Sequence, residues 1–232
     1  MTEIAQVIQL LETLTEDQRR QVFDRLRQEF PIHSLEKRLA TSAEVILEAF
    51  DRAGPFTFRM IRGVIAEASF AIEVVNQLEG WMEETPEGEH PYDFLLRDAV
   101  GTVRVQVKLQ RSEAGKPLST SARRRDGLPP GMFVVETDKS RKGADSSGQS
   151  TRGYRFGSFD ILAVSLFPSE GDWSRFVYTV ERWLWPRPLD PKWIYKYQPL
   201  ADTPNEDWTD NFDSAVKWFR SGVSKRIGQE SS

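Results

Sequence analysis

An aspartate, an amide and a lysine stand at a spacing that two adjacent β-strands would bring together. Pro91-Tyr92-Asp93 leads into Phe94-Leu95-Leu96, which reads as a strand, and Val103 to Gln110 alternates apolar and polar residues with period two. With the turn between them centred near Ala99-Val100, Asp93 falls opposite the Gln106-Val107-Lys108 segment. Gln106 and Lys108 are two apart and share a face with Arg104 and Gln110, while Val103, Val105, Val107 and Leu109 form an apolar reverse side. Upstream, Glu67 lies in an otherwise apolar helical stretch, where a carboxylate needs a partner or a metal. This set suits metal-assisted hydrolysis of a phosphodiester. Mg²⁺ takes oxygen ligands at about 2.0–2.1 Å and keeps several waters. Asp93 and Glu67 offer carboxylates and Gln106 a neutral oxygen. The ion would lower the pKa of a bound water and offset charge on the phosphate oxygens. Lys108 would orient or help deprotonate the attacking water.

The elements that must position these residues follow from periodicity. The first fifty residues read as helices: Ile4, Val7, Ile8 and Leu11 recur at helical spacing, and Thr15 with Gln18 forms a capping box for a second helix striped by Val22, Phe23 and Leu26. Thr41 with Glu44 suggests another cap. A long helix is predicted from about Thr57 to Leu78, then a polar loop, then the hairpin. Residues 112–130 and 139–152 read as polar, basic loops around a short strand at Met132–Glu136. Phe159 to Leu166 reads as a buried strand by its apolar density, Val177 to Val180 as a short strand, and Asp210 to Ser221 as a closing helix. The expected organisation is an N-terminal helical accessory region, residues 1–50, for dimerisation or DNA contact, and a core domain over residues 51–232.

Composition bounds the function. The 232 residues include seven Trp and fourteen Phe, enough large apolar side chains to form a core. The absence of cysteine excludes a disulfide scaffold, a thiolate metal site and a cysteine nucleophile. No apolar run reaches the roughly 18 residues that a membrane span needs. The N-terminal MTEIAQVIQLLETL lacks the pattern of a signal peptide, so a cytoplasmic placement is expected. Net charge is −4, but Arg104 to Lys142 holds ten Lys or Arg against four acids, a local +6, leaving −10 for the remainder. A basic centre in an acidic chain focuses an anionic partner at one place. His33 and His90 are too few and too far apart for a histidine metal site, although His90 borders the hairpin.

Pro91-Tyr92-Asp93, Gln106-Val107-Lys108 and the helical Glu67 resemble the motif of the PD-(D/E)xK nuclease superfamily, and more narrowly that of type II restriction endonucleases. The resemblance runs over residues 57–112, and to about 170 with the Phe159 strand included. It implies an α/β (α+β) restriction-endonuclease-like core, a central mixed β-sheet flanked by helices. It also implies a homodimer, Mg²⁺, cleavage of double-stranded DNA and a companion DNA methyltransferase acting on the same sites. The motif departs from the family pattern in two places: Tyr92 separates proline from aspartate, and Gln106 replaces an acid. The second departure removes a charge from the metal seat, which Glu67, or the less favourably placed Glu73, would have to supply. Arg123, Arg124, Arg125, Lys139, Arg141 and Lys142 are the expected DNA contacts, with Arg104, Gln110 and Arg111 beside the motif. Asp160 is expected to be a structural partner of Arg152 or Arg155, and the C-terminal tryptophans to be core or dimer interface. The alternatives are a structure-specific repair or junction nuclease, a DNA-binding protein whose catalytic site has decayed, and an adaptor that merely carries basic loops.

Overall fold

The chain's structure, a computed structural model, describes residues 3–29, 34–121, 127–139 and 152–229. It separates into two units, residues 1–58 and 59–232. The first is helical: α1 (Glu3–Thr13), α2 (Glu16–Glu29), α3 (Ser34–Leu39) and α4 (Ala43–Asp51), followed by the start of α5 (Pro55–Ser69). The capping box opening α2 is present in both halves: Thr15 N donates to Gln18 Oε1 at 3.0 Å and Gln18 N to Thr15 Oγ1 at 3.3 Å. The cap before α4 is displaced by one residue, with Ser42 rather than Thr41 at the N-cap. An Arg27–Glu44 ion pair ties α2 to α4.

In the second unit the predicted long helix changes type along its length. α5 is regular to Ser69, Phe70–Val74 widens to a π-turn, and Val75–Gln77 tightens to 3-10. A π-turn shifts the faces that follow it, and such bulges recur at functional sites. Then come β1 (Met82–Glu83), β2 (Phe94–Arg97), β3 (Thr102–Leu109), the small hairpin β4 (Ser112–Glu113) and β5 (Lys116–Pro117), β6 (Phe133–Glu136), β7 (Ile161–Ser165), the short α6 (Phe167–Glu170), β8 (Phe176–Val180), β9 (Tyr197–Leu200) and α7 (Phe212–Arg220). The main sheet runs β1-β2-β3-β7-β8. All its pairs are antiparallel except β3 with β7, which are parallel and enclose the basic region in their crossover. The expected class, α+β with a central mixed sheet flanked by helices and a helical N-terminal region, is the class the chain adopts.

Alternation along the strands makes two cores. Val103, Val105, Val107, Ile161 and Ala163 turn one way and are covered by Ala66 and Phe70 of the long helix and by Phe212, Ala215 and Val216 of α7. Leu162 and Val164 turn the other way, toward Tyr154, Phe159, Trp183, Leu184, Ile194, Leu200 and Trp208. Trp183 and Trp208 thus belong to the core. Burying a side chain such as Phe70 contributes on the order of 1.5–3 kcal/mol, so both faces of β3 and β7 are firmly held. Among the described residues no helix is long and apolar enough to cross a membrane.

Candidate active site

The β2–β3 hairpin is set by its turn. Asp98 Oδ1 accepts from Val100 N at 3.0 Å and Gly101 N at 2.9 Å, and Asp98 N donates to Gly101 O at 3.1 Å. Arg220 of α7 clamps the same carboxylate through two bonds of 2.7 and 2.6 Å and holds it well below the usual carboxylate range. The resulting register pairs Phe94 with Val105, so Asp93, one residue earlier, stands across from Gln106. A one-residue slip would send Gln106 and Lys108 to the opposite face.

Asp93 closes the end of β2 with its side chain. Its Oδ2 accepts from Val107 N at 2.7 Å and from Gln106 Nε2. Gln106 is 2% exposed, and its amide nitrogen also reaches Val107 O at 3.2 Å, while its Oε1 is buried with no partner among the described residues. Glu67, partly buried on α5, makes no ion pair among the described residues. Arg62, on the same helix, lies over the Phe167 ring. Burial pushes the Glu67 carboxyl up to about 7; the Asp93 charge adds to this and Lys108 opposes it. Burial also raises Asp93, against the pull of Lys108 and of the Val107 and Gln106 donors. The two carboxylates, both disfavoured as anions by burial, share the field of Lys108. Glu73 is exposed, leaving Glu67 as the helical acid that shares the field of Asp93 and Lys108.

The sequence does not point to Tyr154. Its ring carries the Lys108 ammonium at 5.3 Å from the centroid and the Lys139 ammonium at 5.1 Å. Burial raises its hydroxyl pKa, and the charges of Asp93, Glu67 and Asp138 raise it further. Nothing in its local sequence signals this, because its partners come from β3, α5 and the segment after β6. His90 stacks on Tyr92 with centroids 5.3 Å apart, beside the entry to β2.

Three of the expected DNA contacts are committed elsewhere. Arg104 forms a bidentate pair with Asp160, at 2.7 and 3.1 Å, and reaches Gly157 O at 2.8 Å. Asp160 therefore takes Arg104, not Arg152 or Arg155, as its partner. Gln110 is 1% exposed and accepts from Ser169 Oγ at 2.8 Å. Arg111 bonds Glu136 at 2.9 Å and lies 3.5 Å from Glu113. The alternation that puts Gln106 and Lys108 in the patch also places Arg104 and Gln110 on that face, but Asp160, just before β7, engages the one and Ser169 of α6 the other. Lys139 stands at the patch. Arg123, Arg124, Arg125, Arg141 and Lys142 lie outside the described residues. Arg104→Ala is expected to cost on the order of 1.5–3 kcal/mol of stability in a denaturant titration, the usual cost of losing charged hydrogen bonds. It is expected to leave the salt dependence of DNA binding unchanged.

A second buried acid shares the pH behaviour of the site. Glu181 accepts from Gly157 N at 2.6 Å, and burial pushes its carboxyl up to about 7. A carboxyl raised in the folded state binds a proton there that the unfolded chain has already lost, so it lowers stability as pH rises from about 4.5 to about 7. Urea titrations in EDTA at pH 5 and pH 8 are expected to show lower stability at pH 8. Glu67→Gln is expected to shrink that difference and leave the Glu181 share in place.

The donor set fits Mg²⁺: every candidate ligand is oxygen, and Gln106 Oε1 is buried without a partner among the described residues. No group of three or more acids or histidines gathers at one point among the described residues, so a Mg²⁺ ion here would have only Asp93, Glu67 and the Gln106 amide oxygen as candidate protein ligands.

The chain is α+β, with an aspartate, an amide and a lysine at the β2–β3 hairpin of a mixed sheet and a glutamate on α5. No family model matches the chain, and no curated protein matches it. Among solved structures it is similar to a bacterial homing endonuclease, I-Ssp6803I, with 16% identity and a TM-score of 0.36, covering 69% of this chain and 90% of that one. A likeness at this level carries no argument about fold or function.

Proposed function

We propose that the protein is a Mg²⁺-dependent endonuclease of the PD-(D/E)xK type that hydrolyses phosphodiester bonds in double-stranded DNA, and specifically a type II restriction enzyme. The observation that carries this reading is the hairpin register that sets Asp93 against Gln106 and Val107, with Lys108 on the same strand and the Glu67 carboxyl under the charges of Asp93 and Lys108. Asp93, Glu67 and Gln106 would hold the ion, which when bound supplies a more acidic water and offsets charge on the phosphate oxygens. Asp93 is fixed for this by Val107 N, which leaves Oδ1 as its second oxygen. Glu67 gives up its proton near neutrality, so its contribution strengthens as pH rises through about 7. Lys108 has no hydrogen-bond partner among the described residues and is available to a water or a phosphate oxygen. Cutting both strands of a palindromic site calls for a two-fold homodimer. Cytoplasmic placement and a companion methyltransferase belong to the same reading.

The test is incubation with phage DNA. Discrete fragments in Mg²⁺, none in EDTA and none with Lys108→Ala support the reading; unchanged cutting by Lys108→Ala moves the catalytic site elsewhere. One observation favours a second reading, a DNA-binding protein that has lost its nuclease activity: Gln106 supplies Asp93 with a neutral donor where the family has an acid. That reading predicts strongly salt-dependent DNA binding with no Mg²⁺-dependent nicking.

A further inference from the structure

We propose that Tyr154 is a positioning residue of this patch: its ring holds the ammonium groups of Lys108 and Lys139 together, making Lys139 a second phosphate-binding cation beside Lys108. This rests on the phosphodiesterase reading above and names the part of the site that grips the substrate. Both ammonium groups lie inside the roughly 6 Å at which a cation is drawn to an aromatic face. A lysine is a point charge on a flexible stem, and without such a surface its head has many places to go. The ring itself is fixed. Tyr154 is 6% exposed, Phe159 stands edge-on to it with centroids 5.5 Å apart, and its carbonyl accepts from Ile194 N at 2.9 Å.

The two lysines arrive by separate routes. Lys108 comes from β3, and Lys139 from the segment after β6, whose backbone N donates to Arg152 O at 2.8 Å just before Tyr154. Two ammonium groups on one ring repel each other, so the arrangement is favourable only in a negative field. Asp93, Glu67 and Asp138 surround the tyrosine and provide one. A phosphodiester brought to Asp93 would add another anion beside both cations. The tyrosine hydroxyl makes no hydrogen bond among the described residues, so the ring face is what acts and phenylalanine should serve as well.

The experiment compares wild type, Tyr154→Phe, Tyr154→Leu and Lys139→Gln in two assays: single-turnover cleavage in Mg²⁺, and duplex binding by fluorescence anisotropy across a salt series without metal. Tyr154→Phe is expected to stay within about twofold of wild type in both, and Tyr154→Leu to lose at least about tenfold in cleavage rate. Lys139→Gln is expected to weaken binding and reduce the slope of log affinity against log salt by about one. Combined with Tyr154→Leu it adds nothing. Lys139→Gln removes an ammonium from the ring face and leaves the Tyr154 ring in place, so its slope reads the proposal even where Tyr154→Leu fails to fold. Equal losses in Tyr154→Phe and Tyr154→Leu, or an unchanged slope in Lys139→Gln, overturn it. A wild type that cuts while all three variants match it ends this proposal and leaves the nuclease reading standing. A wild type that binds with the Lys139-dependent slope but never cuts ends the nuclease reading and leaves the two-cation seat. A wild type that neither cuts nor binds ends both.

Discussion

Asparagine in place of Asp93 is expected to lower the single-turnover rate of Mg²⁺-dependent DNA cleavage by on the order of 10³-fold while raising the melting temperature of the metal-free protein at pH 8. Both effects have one cause. The amide oxygen of the introduced asparagine can still accept from Val107 N and Gln106 Nε2, so the hairpin end keeps its bonds. What disappears is a negative charge that the fold holds at a cost, since burial raises the Asp93 pKa and Glu67 stands close enough to share the penalty. A group kept in a costly state and useful only to a cation has the profile of a functional residue. Cleavage kinetics and a thermal melt in EDTA measure the two halves. A variant that loses activity and stability together would mean that Asp93 serves the fold.

Glutamate in place of Gln106 introduces the acid that the PD-(D/E)xK motif carries at the corresponding place, and here it is expected to destabilise the metal-free protein at pH 8 by on the order of 3–5 kcal/mol. Gln106 is 2% exposed and its amide nitrogen donates to Asp93. The substitution exchanges that donor for a second carboxylate against the first, and two such groups resist ionising together. The folded pair then holds a proton above the ordinary carboxylate range, so stability is present at low pH and lost as pH rises through that raised value. Millimolar Mg²⁺ should restore most of the loss at pH 8, because a ligand bound only by the folded state stabilises it by mass action. Denaturant titrations at pH 5 and pH 8, with Mg²⁺ and with EDTA, give the four values. Destabilisation that Mg²⁺ does not relieve would mean that the patch holds no divalent ion. The same comparison separates an active site that works with a neutral ligand from one that has decayed.

The hairpin is legible in the sequence because two short-range signals agree, period-two alternation in β3 and a turn whose Asp98 side chain bonds its own backbone. Glu67 stands out because a carboxylate in an apolar helical stretch has few explanations. Alternation, however, says which face a residue takes and nothing about what covers that face. Arg104 and Gln110 share the Gln106 face, yet Asp160 captures one and Ser169 the other, and both partners lie more than fifty residues away. Tyr154 is invisible in the sequence for the same reason: its role comes from tertiary neighbours, Lys108 and Lys139, and not from its own segment. The π-turn at Phe70–Val74 leaves no mark on the apolar pattern of the long helix. β9 does not read as a strand because Tyr197-Gln198-Pro199-Leu200 has a proline in it; the proline is tolerated in a strand that, among the described residues, pairs with β6 alone.

The most direct measurement is the conversion of supercoiled plasmid to linear product by purified wild type, Asp93→Asn and Lys108→Ala as Mg²⁺ is raised from zero at pH 8. Saturable Mg²⁺-dependent cutting by wild type alone is the expected result. Cutting that survives in EDTA, or that either variant performs at the wild-type rate, would contradict a metal-assisted hydrolysis at this hairpin.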